Sequence, residues 1–427
     1  MTDTILHRLH ENGRKRPNAP AYYEKIGSTW VPTSWKEYTN QVRQAARALV
    51  ALGVQPNQNV TILGFNRPEW VIFDLASMLI GGAPAGIYTT NSPHECKYII
   101  ENAEAPVILV ENQSQWKKIR EVRDDIDCLK HIVLMKGTQI DDEMTLSWEA
   151  FMAKGDEVDE SVIDARMNAL QEDQLATLIY TSGTTGPPKG VMLSHKNLAS
   201  TARNAQNLIE LVPSDRTISY LPLSHIAEQM FTIHAAITAA YQVYYAEFSP
   251  QDHLNRNMKE MKPTVFFGVP RIFERFQAGV SAQLGHATGA KAKIAEWARG
   301  VGTKVNALHN RGQEPSGLLA LQYKLAKKLV FDKVKDGLGL SEARIMIVSA
   351  APISPEILQY LASLDMSILE LYGQSEDCGP TTTNRPGAIK IGSVGQAWPG
   401  SEVKLGPDGE ILVKGPNVFL GYFKSEE

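Results

Sequence analysis

Residues 175–190, LATLIYTSGTTGPPKG, carry the strongest signal in the chain. The first six residues form a short apolar run that is typical of a buried strand. From Thr181 to Gly190, glycines that let backbone N–H groups approach an anion are combined with four hydroxyls and the charge of Lys189. This is not a Walker A loop, because two residues instead of four separate its first two glycines and the lysine precedes a glycine. The stretch therefore predicts a strand and a phosphate-binding loop, and the alternative is a solvated turn.

Short β-branched runs alternate with longer amphipathic runs on both sides of this loop. Ser92-Pro93-His94-Glu95 has the spacing of a capping box with proline at the first helical position, which predicts a helix to about Asn102. The alternation predicts an α/β fold with parallel sheets that are covered by helices on both faces. The first set of predicted strands is Asn59–Leu63, Ala85–Tyr88, Val107–Val110 and His131–Met135. The second set is Leu175–Tyr180, Thr217–Leu221, Thr264–Phe267, Arg344–Val348 and Ile368–Tyr372.

After Pro386 the pattern changes to short alternating runs separated by glycine and proline. Asp408-Gly409 predicts a hairpin turn between Glu402–Leu405 and Glu410–Lys414. We therefore predict a large α/β domain of two packed subdomains over residues 1–385 and a small antiparallel, β-barrel-like subdomain over residues 386–427.

Composition limits the classes of partner and of compartment. The chain has 427 residues, 43% of them hydrophobic, and a formal net charge of −4, so no overall positive field would attract nucleic acid. The three cysteines lack disulfide or zinc spacing. The most apolar window, Met230 to Tyr241, is shorter than a membrane span. These features predict a cytoplasmic protein.

The loop is similar to the phosphate-binding signature of the adenylate-forming superfamily, which includes acyl-CoA synthetases, luciferases and the adenylation domains of peptide synthetases. Four further blocks resemble that superfamily and stand in its order: Leu221-Pro222-Leu223-Ser224-His225-Ile226-Ala227-Glu228, Ser349-Ala350-Ala351-Pro352-Ile353-Ser354, Tyr372-Gly373-Gln374-Ser375-Glu376 and Gly409-Glu410-Ile411-Leu412-Val413-Lys414-Gly415-Pro416. The resemblance covers nearly the whole chain. It implies ATP, Mg²⁺ and coenzyme A as cofactors or co-substrates.

The resemblance also assigns roles to residues. Lys189, Glu376 and His225 would be catalytic, with Glu376 and a hydroxyl of Thr181 or Thr185 on the metal and His225 facing the acyl carboxylate. Ser375 replaces the more usual threonine and keeps a hydroxyl, and Ala350 stands where glycine is common. The nucleotide-binding residues would be Thr181, Ser182, Gly183, Thr184, Thr185, Gly186, Lys189, Ala350, Ala351, Pro352, Tyr372, Gly373, Gln374 and Ser375.

The segment from Phe266 to Arg275 resembles long-chain and bubblegum-type acyl-CoA synthetases, which implies a fatty acid as the substrate. His225, Gln229, Phe267 and Gly268 would bind this acid. Gln229 stands where some long-chain members place a gating tryptophan. The implied activity is ATP-dependent formation of acyl-AMP and then acyl-CoA. The alternatives are a fatty-acyl-AMP ligase, an aryl-CoA ligase, and a nucleotide- or lipid-binding module without catalysis.

Two further expectations concern the insertion after Val280 and the end of the chain. From Lys291 to Lys335, ten lysines and arginines stand against three acids. The pattern is compatible with peripheral contact with an anionic membrane or with a solvated helix face, and a homodimer is also compatible with the sequence. The superfamily's small C-terminal lid domain has no counterpart after Tyr422, so we expect slow acyl-adenylate formation and negligible thioester formation by this chain.

Overall fold

A computed structural model describes residues 2–181, 186–247 and 252–425. Its strands are β1 (Pro20–Ile26), β2 (Thr29–Ser34), β3 (Asn59–Leu63), β4 (Ala83–Ile87), β5 (Val107–Val110), β6 (His131–Leu134), β7 (Thr145–Leu146), β8 (Leu175–Thr181), β9 (Lys189–Ser194), β10 (Arg216–Ser219), β11 (Gln242–Tyr245), β12 (Val265–Gly268), β13 (Ile345–Val348), β14 (Leu369–Gln374), β15 (Gly379–Thr383), β16 (Gln396–Ala397), β17 (Glu402–Leu405) and β18 (Ile411–Lys414). Its α-helices are α1 (Ile5–Lys15), α2 (Trp35–Ala51), α3 (Pro68–Leu79), α4 (Pro93–Ala103), α5 (Gln113–Val122), α6 (Trp148–Lys154), α7 (Glu160–Ala169), α8 (His195–Leu208), α9 (Ile226–Gln229), α10 (Ala235–Ala239), α11 (Asp252–Met261), α12 (Pro270–Gly285), α13 (Ala290–His309), α14 (Gly317–Ala326), α15 (Asp332–Leu338) and α16 (Pro355–Ala362). Two π-helical turns, Met230–His234 and Lys327–Phe331, join α9 to α10 and α14 to α15.

The largest sheet has the strand order β7-β6-β5-β3-β4-β8-β9. Every neighbouring pair in it is parallel except β8 and β9. Strands β3, β4 and β5 are buried along their whole length, as expected when helices cover both faces. Helix α3, which packs on this sheet, is also buried throughout. The predicted α/β architecture is confirmed, and the bounds of β3 and β5 are as predicted.

Two smaller sheets contain the remaining parallel pairs. One has the order β12-β13-β14-β15-β16, with β15 and β16 antiparallel, and the other has the order β10-β11-β1-β2. All five strands of the predicted second set are observed, and they divide among three sheets: β8 pairs with β4 in the largest sheet, β10 pairs with β11 in the third sheet, and the other three lie in the second sheet. A buried apolar run fits any interior parallel position, so tertiary contacts decide which neighbour it has.

The predicted hairpin near the end of the chain is present. Strands β17 and β18 pair as expected, and Gly409 has a positive φ of 86° in the turn between them. The predicted barrel-like closure is not found among the described residues, because β16 pairs with β15 and the hairpin pairs only with itself. A subdomain boundary at Pro386 stays a prediction.

The segment after the hairpin lies along the largest sheet. The amides of Leu420 and Met192 bond to the carbonyls of Met192 and Gly421 at 2.9 and 3.0 Å, and the Phe423 amide bonds to the Gly190 carbonyl at 2.8 Å. Asn197 in α8 donates to the carbonyls of Pro416 and Val418. These bonds hold Tyr422 beside β9, at the exit of the predicted phosphate loop.

Local sequence signals account for two helical regions. Helix α4 has the predicted capping box, in which Ser92 and Glu95 each accept from the other's backbone N–H. The apolar window from Met230 to Tyr241 contains a π-turn and α10, and its alanines Ala235, Ala236, Ala239 and Ala240 are buried in the core. Within the described part of the chain, no helix combines the length and the apolar character needed to cross a membrane.

Candidate active site

The two ends of the predicted phosphate loop are held together by strand pairing. Thr181 at the end of β8 lies opposite Lys189 at the start of β9 in an antiparallel register. Ser182, Gly183, Thr184 and Thr185 lie outside the described residues. Gly186 has a positive φ of 111°, a conformation that favours glycine. The loop therefore connects two antiparallel strands rather than a strand and a helix.

Glu376 lies close to this loop and is joined to it by a residue that the sequence analysis did not assign to the site. Tyr422 donates its hydroxyl hydrogen to Glu376 Oε1 at 2.8 Å. Lys189 Nζ lies 4.9 Å from the centroid of the Tyr422 ring. Burial and the bond to Glu376 together raise the pKa of Tyr422 to about 12, so the hydroxyl stays a donor near neutral pH. The predicted lysine and carboxylate thus share one neighbour.

A cavity of about 110 Å³ brings together predicted residues from four separate blocks. His225 from the block before α9, Phe267 from β12, Ala350 after β13, and Gly373 and Gln374 from β14 all line it. Leu371, Met230 and Phe231 add apolar wall, and the rings of Phe231 and Phe267 stack at 4.8 Å between centroids. Gln374, which lines the cavity, stands two residues before Glu376 in the chain.

His225 is fixed in orientation at the edge of this cavity. Its Nδ1 accepts the Ala227 amide hydrogen at 3.1 Å and caps the start of α9. Burial lowers the pKa of His225, so the ring is neutral near pH 7 and carries its proton on Nε2. This arrangement provides a hydrogen-bond donor without a positive charge.

Three of the predicted nucleotide-binding residues, Ala351, Pro352 and Tyr372, occupy exposed or half-buried positions. Ala351 and Pro352 are exposed in the turn after β13, and Tyr372 is half-buried in β14. Tyr372 is not among the cavity-lining residues, whereas its neighbours Leu371 and Gly373 are, because side chains alternate along a strand. Ala350 has a φ of 73°, which is the physical reason that glycine suits this position.

Three of the predicted site residues do not line the cavity. Gln229 is buried, donates to the Leu223 carbonyl at 2.9 Å and does not line the cavity. Ser375 is buried in the turn after β14. At Gly268, an added Cβ would lie 2.9 Å from Phe273 Cε2 and 3.2 Å from Phe266 Cε1. The space beside this glycine is filled by aromatic rings, so it serves packing and does not open a path.

Glycine has a clearer structural reason at position 373. A Cβ there would lie 1.7 Å from the carbonyl oxygen of Gly379 on the neighbouring strand β15. Only glycine permits this approach of the two strands. The approach fixes the turn that carries Glu376.

A buried polar network lies on the far side of His225, and the sequence analysis did not predict it. Glu228 Oε1 accepts from the hydroxyls of Thr232 and Ser219 at 2.7 and 2.8 Å, and from Asn66 and the Tyr220 amide at 3.3 and 3.2 Å. Burial raises the pKa of Glu228 to about 7. A charged residue inside the apolar run from Ile226 to Ala240 is the signal that could have identified it.

The chemistry of the site fits a hard cation that is shared with phosphate. Among the described residues, no group of three or more His, Cys, Asp or Glu side chains is close enough to bind a metal. Magnesium in nucleotide sites often uses only one or two protein oxygens beside phosphate oxygens and water. Glu376, whose Oε1 already accepts one hydrogen bond, and the hydroxyl of Thr181 are the residues that would hold it.

The profile of the AMP-binding enzyme family matches residues 9–423. The chain belongs to the AMP-binding enzyme family. Long-chain-fatty-acid–CoA ligase ACSBG2 of Xenopus laevis is 39% identical over 435 residues, which cover 99% of this chain and 58% of that protein. The human protein of the same name is 36% identical over 431 residues, with 99% and 64% covered. The chain therefore spans about three fifths of the length of these two relatives.

Solved structures share the fold of this chain. The anthranilate CoA ligase AuaEII in complex with anthranoyl-AMP has a TM-score of 0.74 at 20% identity, covering 100% of this chain and 72% of that one. The inhibitor-bound N-terminal domain of FACL13 from Mycobacterium tuberculosis has a TM-score of 0.73 at 18% identity, covering 100% and 92%. At these identities the similarity concerns the fold alone.

Proposed function

We propose that the protein activates a long-chain fatty acid with ATP to acyl-AMP and then transfers the acyl group to coenzyme A. The observation that carries this proposal is the convergence of Lys189 and Glu376 on Tyr422, beside the cavity that His225 and Phe267 line. The names of the relatives, which are long-chain-fatty-acid–CoA ligases, support the choice of acid.

In the first step, a carboxylate oxygen of the fatty acid forms a bond to the α-phosphorus of ATP, and the bond from that phosphorus to the pyrophosphate oxygen breaks. The acid needs no general base, because it is ionised at pH 7. Lys189 and the loop it closes would neutralise the phosphates, and His225 Nε2–H would orient the carboxylate. Bound Mg²⁺ would supply further charge neutralisation, held by Glu376 and Thr181.

In the second step, the sulfur of coenzyme A attacks the acyl carbonyl carbon. AMP leaves with the bonding electron pair, and the thiol proton goes to solvent or to AMP. The AMP phosphate remains beside Lys189 in this scheme. The adenine would lie against Tyr372, Ala351 and Pro352, which are accessible in the structure.

A long acyl chain needs more room than the cavity of about 110 Å³ beside His225. A second cavity of about 480 Å³ is lined mainly by apolar side chains, including Tyr220, Ile272 and Phe276. Phe267 borders the smaller cavity, and Val269 borders the larger one. We propose that the end of the chain reaches the larger cavity past the stacked Phe231 and Phe267 rings. Each buried methylene adds roughly 0.8 kcal/mol, so neighbouring chain lengths should be poorly distinguished.

The small volume of the cavity beside His225 favours one second candidate, an aryl-CoA ligase. Comparing acyl-hydroxamate formation from palmitate and from coumarate separates the two. Palmitate as the better substrate supports the leading proposal, and coumarate as the better substrate replaces it.

The proposal is tested by fatty-acid-dependent exchange of labelled pyrophosphate into ATP. Glu376→Gln should lower exchange by on the order of 10²-fold, because the substitution removes a charge at the phosphates. Glu410→Gln is the control and should leave exchange unchanged, because Glu410 is exposed on the hairpin between β17 and β18. Equal exchange in the wild type and in Glu376→Gln would remove Glu376 from the site.

We propose further that the protein acts in the cytoplasm and contacts membranes at their surface. The three free cysteines are consistent with a reducing compartment. A homodimer is tested by light scattering of the purified chain.

A further inference from the structure

Helix α14 and the π-turn after it present a row of leucines to solvent. Leu318, Leu321, Leu325 and Leu329 are 70%, 68%, 51% and 36% exposed. They are three or four residues apart, the spacing that places side chains on one side of a helix. We call these four residues the leucine face. An exposed apolar row of this kind is unusual on a soluble protein and indicates an interaction surface.

The leucine face lies on the solvent side of a helix whose other side is packed against the protein. The opposite side of the same helix packs into the protein through Ala326, Val330 and Phe331, which are buried. Tyr323 in α14 and Lys335 in α15 both bond to Asp365, at 2.9 and 2.6 Å. These contacts fix the rotation of the helix and keep the leucines outward.

Positive charge accompanies the leucine face. Lys324 and Lys328 are exposed, and no carboxylate in residues 2–181, 186–247 or 252–425 forms an ion pair with either of them. Lys327 forms an ion pair with Asp332 at 2.8 Å, and Lys333 is exposed. The face therefore combines apolar side chains with unneutralised cations, the combination that complements an anionic lipid surface.

We propose that the leucine face, with Lys324 and Lys328, docks the protein on an anionic membrane surface. The proposal rests on the proposed function in one respect, since a membrane is the source of long-chain fatty acid. The helical insertion that carries the face also lines the larger cavity through Leu338 at the end of α15. Docking would therefore bring the wall of that cavity close to the lipid.

The test is co-sedimentation of the 427-residue chain with vesicles, without ATP or fatty acid. Vesicles of phosphatidylcholine with one third phosphatidylserine should bind the protein, and vesicles of phosphatidylcholine alone should bind it much less. Replacing Leu318, Leu321 and Leu325 with glutamine should lower binding at least about tenfold. Lys324→Gln and Lys328→Gln should each lower it roughly fivefold, and added salt should weaken the wild type in the same direction.

A matched control replaces Leu405, Ile411 and Leu412 on the exposed hairpin with glutamine; Leu405 is 70% exposed, like Leu318. This control should leave vesicle binding unchanged. Equal losses in the two triple variants, or equal binding to the two kinds of vesicle, would overturn the proposal. A wild-type dimer that the Leu318 triple variant dissociates would also overturn it, because the face would then join two copies.

Failure of docking can be told apart from failure of the proposed function. Pyrophosphate exchange with octanoate, which is soluble, needs no membrane and should be the same in the wild type and in the Leu318 triple variant. Vesicle binding without exchange, with octanoate and with palmitate alike, would contradict the ligase proposal and support the leucine face. Exchange without vesicle binding would support the ligase proposal and contradict docking through the leucine face.

Discussion

Glu228 shows how one buried carboxyl can join parts of the chain that are distant in sequence. Through Asn66 it contacts the end of β3 in the largest sheet, and through Ser219 it contacts the end of β10 in the third sheet. The hydrogen bonds from Asn66, Ser219, Tyr220 and Thr232 all end on the same oxygen, Oε1. The carboxyl can therefore hold these elements together whether it is protonated or not, but burial penalises the charged form.

The first prediction concerns the pH dependence of stability. The pKa of Glu228 is raised from 4.5 to about 7 in the folded state, so the folded protein binds the proton more tightly than the unfolded one. The free energy of unfolding should consequently fall as pH rises from about 4.5 to 7. Glu228→Gln removes this loss, and the stability of the variant relative to wild type should rise by on the order of 2–3 kcal/mol between pH 5 and pH 8.

Urea unfolding at several pH values measures this difference. Glu410→Gln, at an exposed position on the hairpin, is the control and should give a difference that does not change with pH. A difference for Glu228→Gln that is flat between pH 5 and pH 8 would show that Glu228 is charged in the folded protein throughout.

The second prediction concerns Tyr422, whose hydroxyl donates to Glu376 Oε1. Tyr422→Phe keeps the ring beside Lys189 and removes this hydrogen bond. A cation would then no longer compete with the hydroxyl, so the affinity for Mg²⁺ in the presence of ATP should rise roughly two- to tenfold. Calorimetric titration of Mg²⁺ into the ATP-saturated protein measures it. Weaker Mg²⁺ binding in the variant would mean that the hydroxyl prepares Glu376 for the metal instead of competing with it.

At the scale of elements, helix α13 offers two glycines in contrasting surroundings. A Cβ at Gly302 would lie 2.1 Å from the carbonyl oxygen of Ser363, whereas a Cβ at Gly300 would meet nothing within 4 Å. Helix α13 therefore depends on Gly302 to pack against the end of α16. Gly300 lowers the stability of the helix and does not permit any close contact.

The third prediction follows from this pair. Gly302→Ala should lower the free energy of unfolding by about 1–3 kcal/mol, because the backbone of Ser363 must move. Gly300→Ala should raise it by about 0.5–1 kcal/mol. Each variant is the control for the other, and urea unfolding at constant pH measures both. A destabilising Gly300→Ala, or a neutral Gly302→Ala, would contradict the packing of α13 described above.

At the scale of the whole molecule, the candidate site joins two sheets. Lys189 begins β9 in the largest sheet, and Glu376 follows β14 in the second sheet. Tyr422, from the segment that runs along β9, lies between them. A nucleotide that contacts both residues should therefore stabilise the two sheets together.

The fourth prediction is that ATP with Mg²⁺ raises the thermal midpoint of the chain more than ATP with a chelator. A ligand at 100 times its dissociation constant adds about 2.7 kcal/mol to the free energy of unfolding. Glu376→Gln should lose the part of this increase that depends on Mg²⁺ and keep the rest. Differential scanning calorimetry measures the thermal midpoint. A wild-type midpoint that does not depend on Mg²⁺ would argue against a metal ion shared by Glu376 and ATP.

The amino-acid sequence by itself determined the short-range structure of this protein. Strand β3, strand β5, the capping box of α4 and the hairpin at Gly409 were predicted because each depends on neighbours within a few residues, through burial patterns, capping hydrogen bonds and turn geometry. The family blocks also indicated the membership that the comparisons confirmed, and His225, Phe267 and Gln374 meet around one cavity. The separate roles of these residues stay predictions.

Only the tertiary structure decided the long-range pairings. It placed β8 beside β4, brought Tyr422 between Lys189 and Glu376, and filled the space at Gly268 with aromatic rings. It also set Glu228 at the junction of two sheets and turned the leucine face outward. These outcomes depend on contacts between residues tens or hundreds of positions apart. A local pattern is compatible with several such partners, and close packing of the whole chain selects one of them.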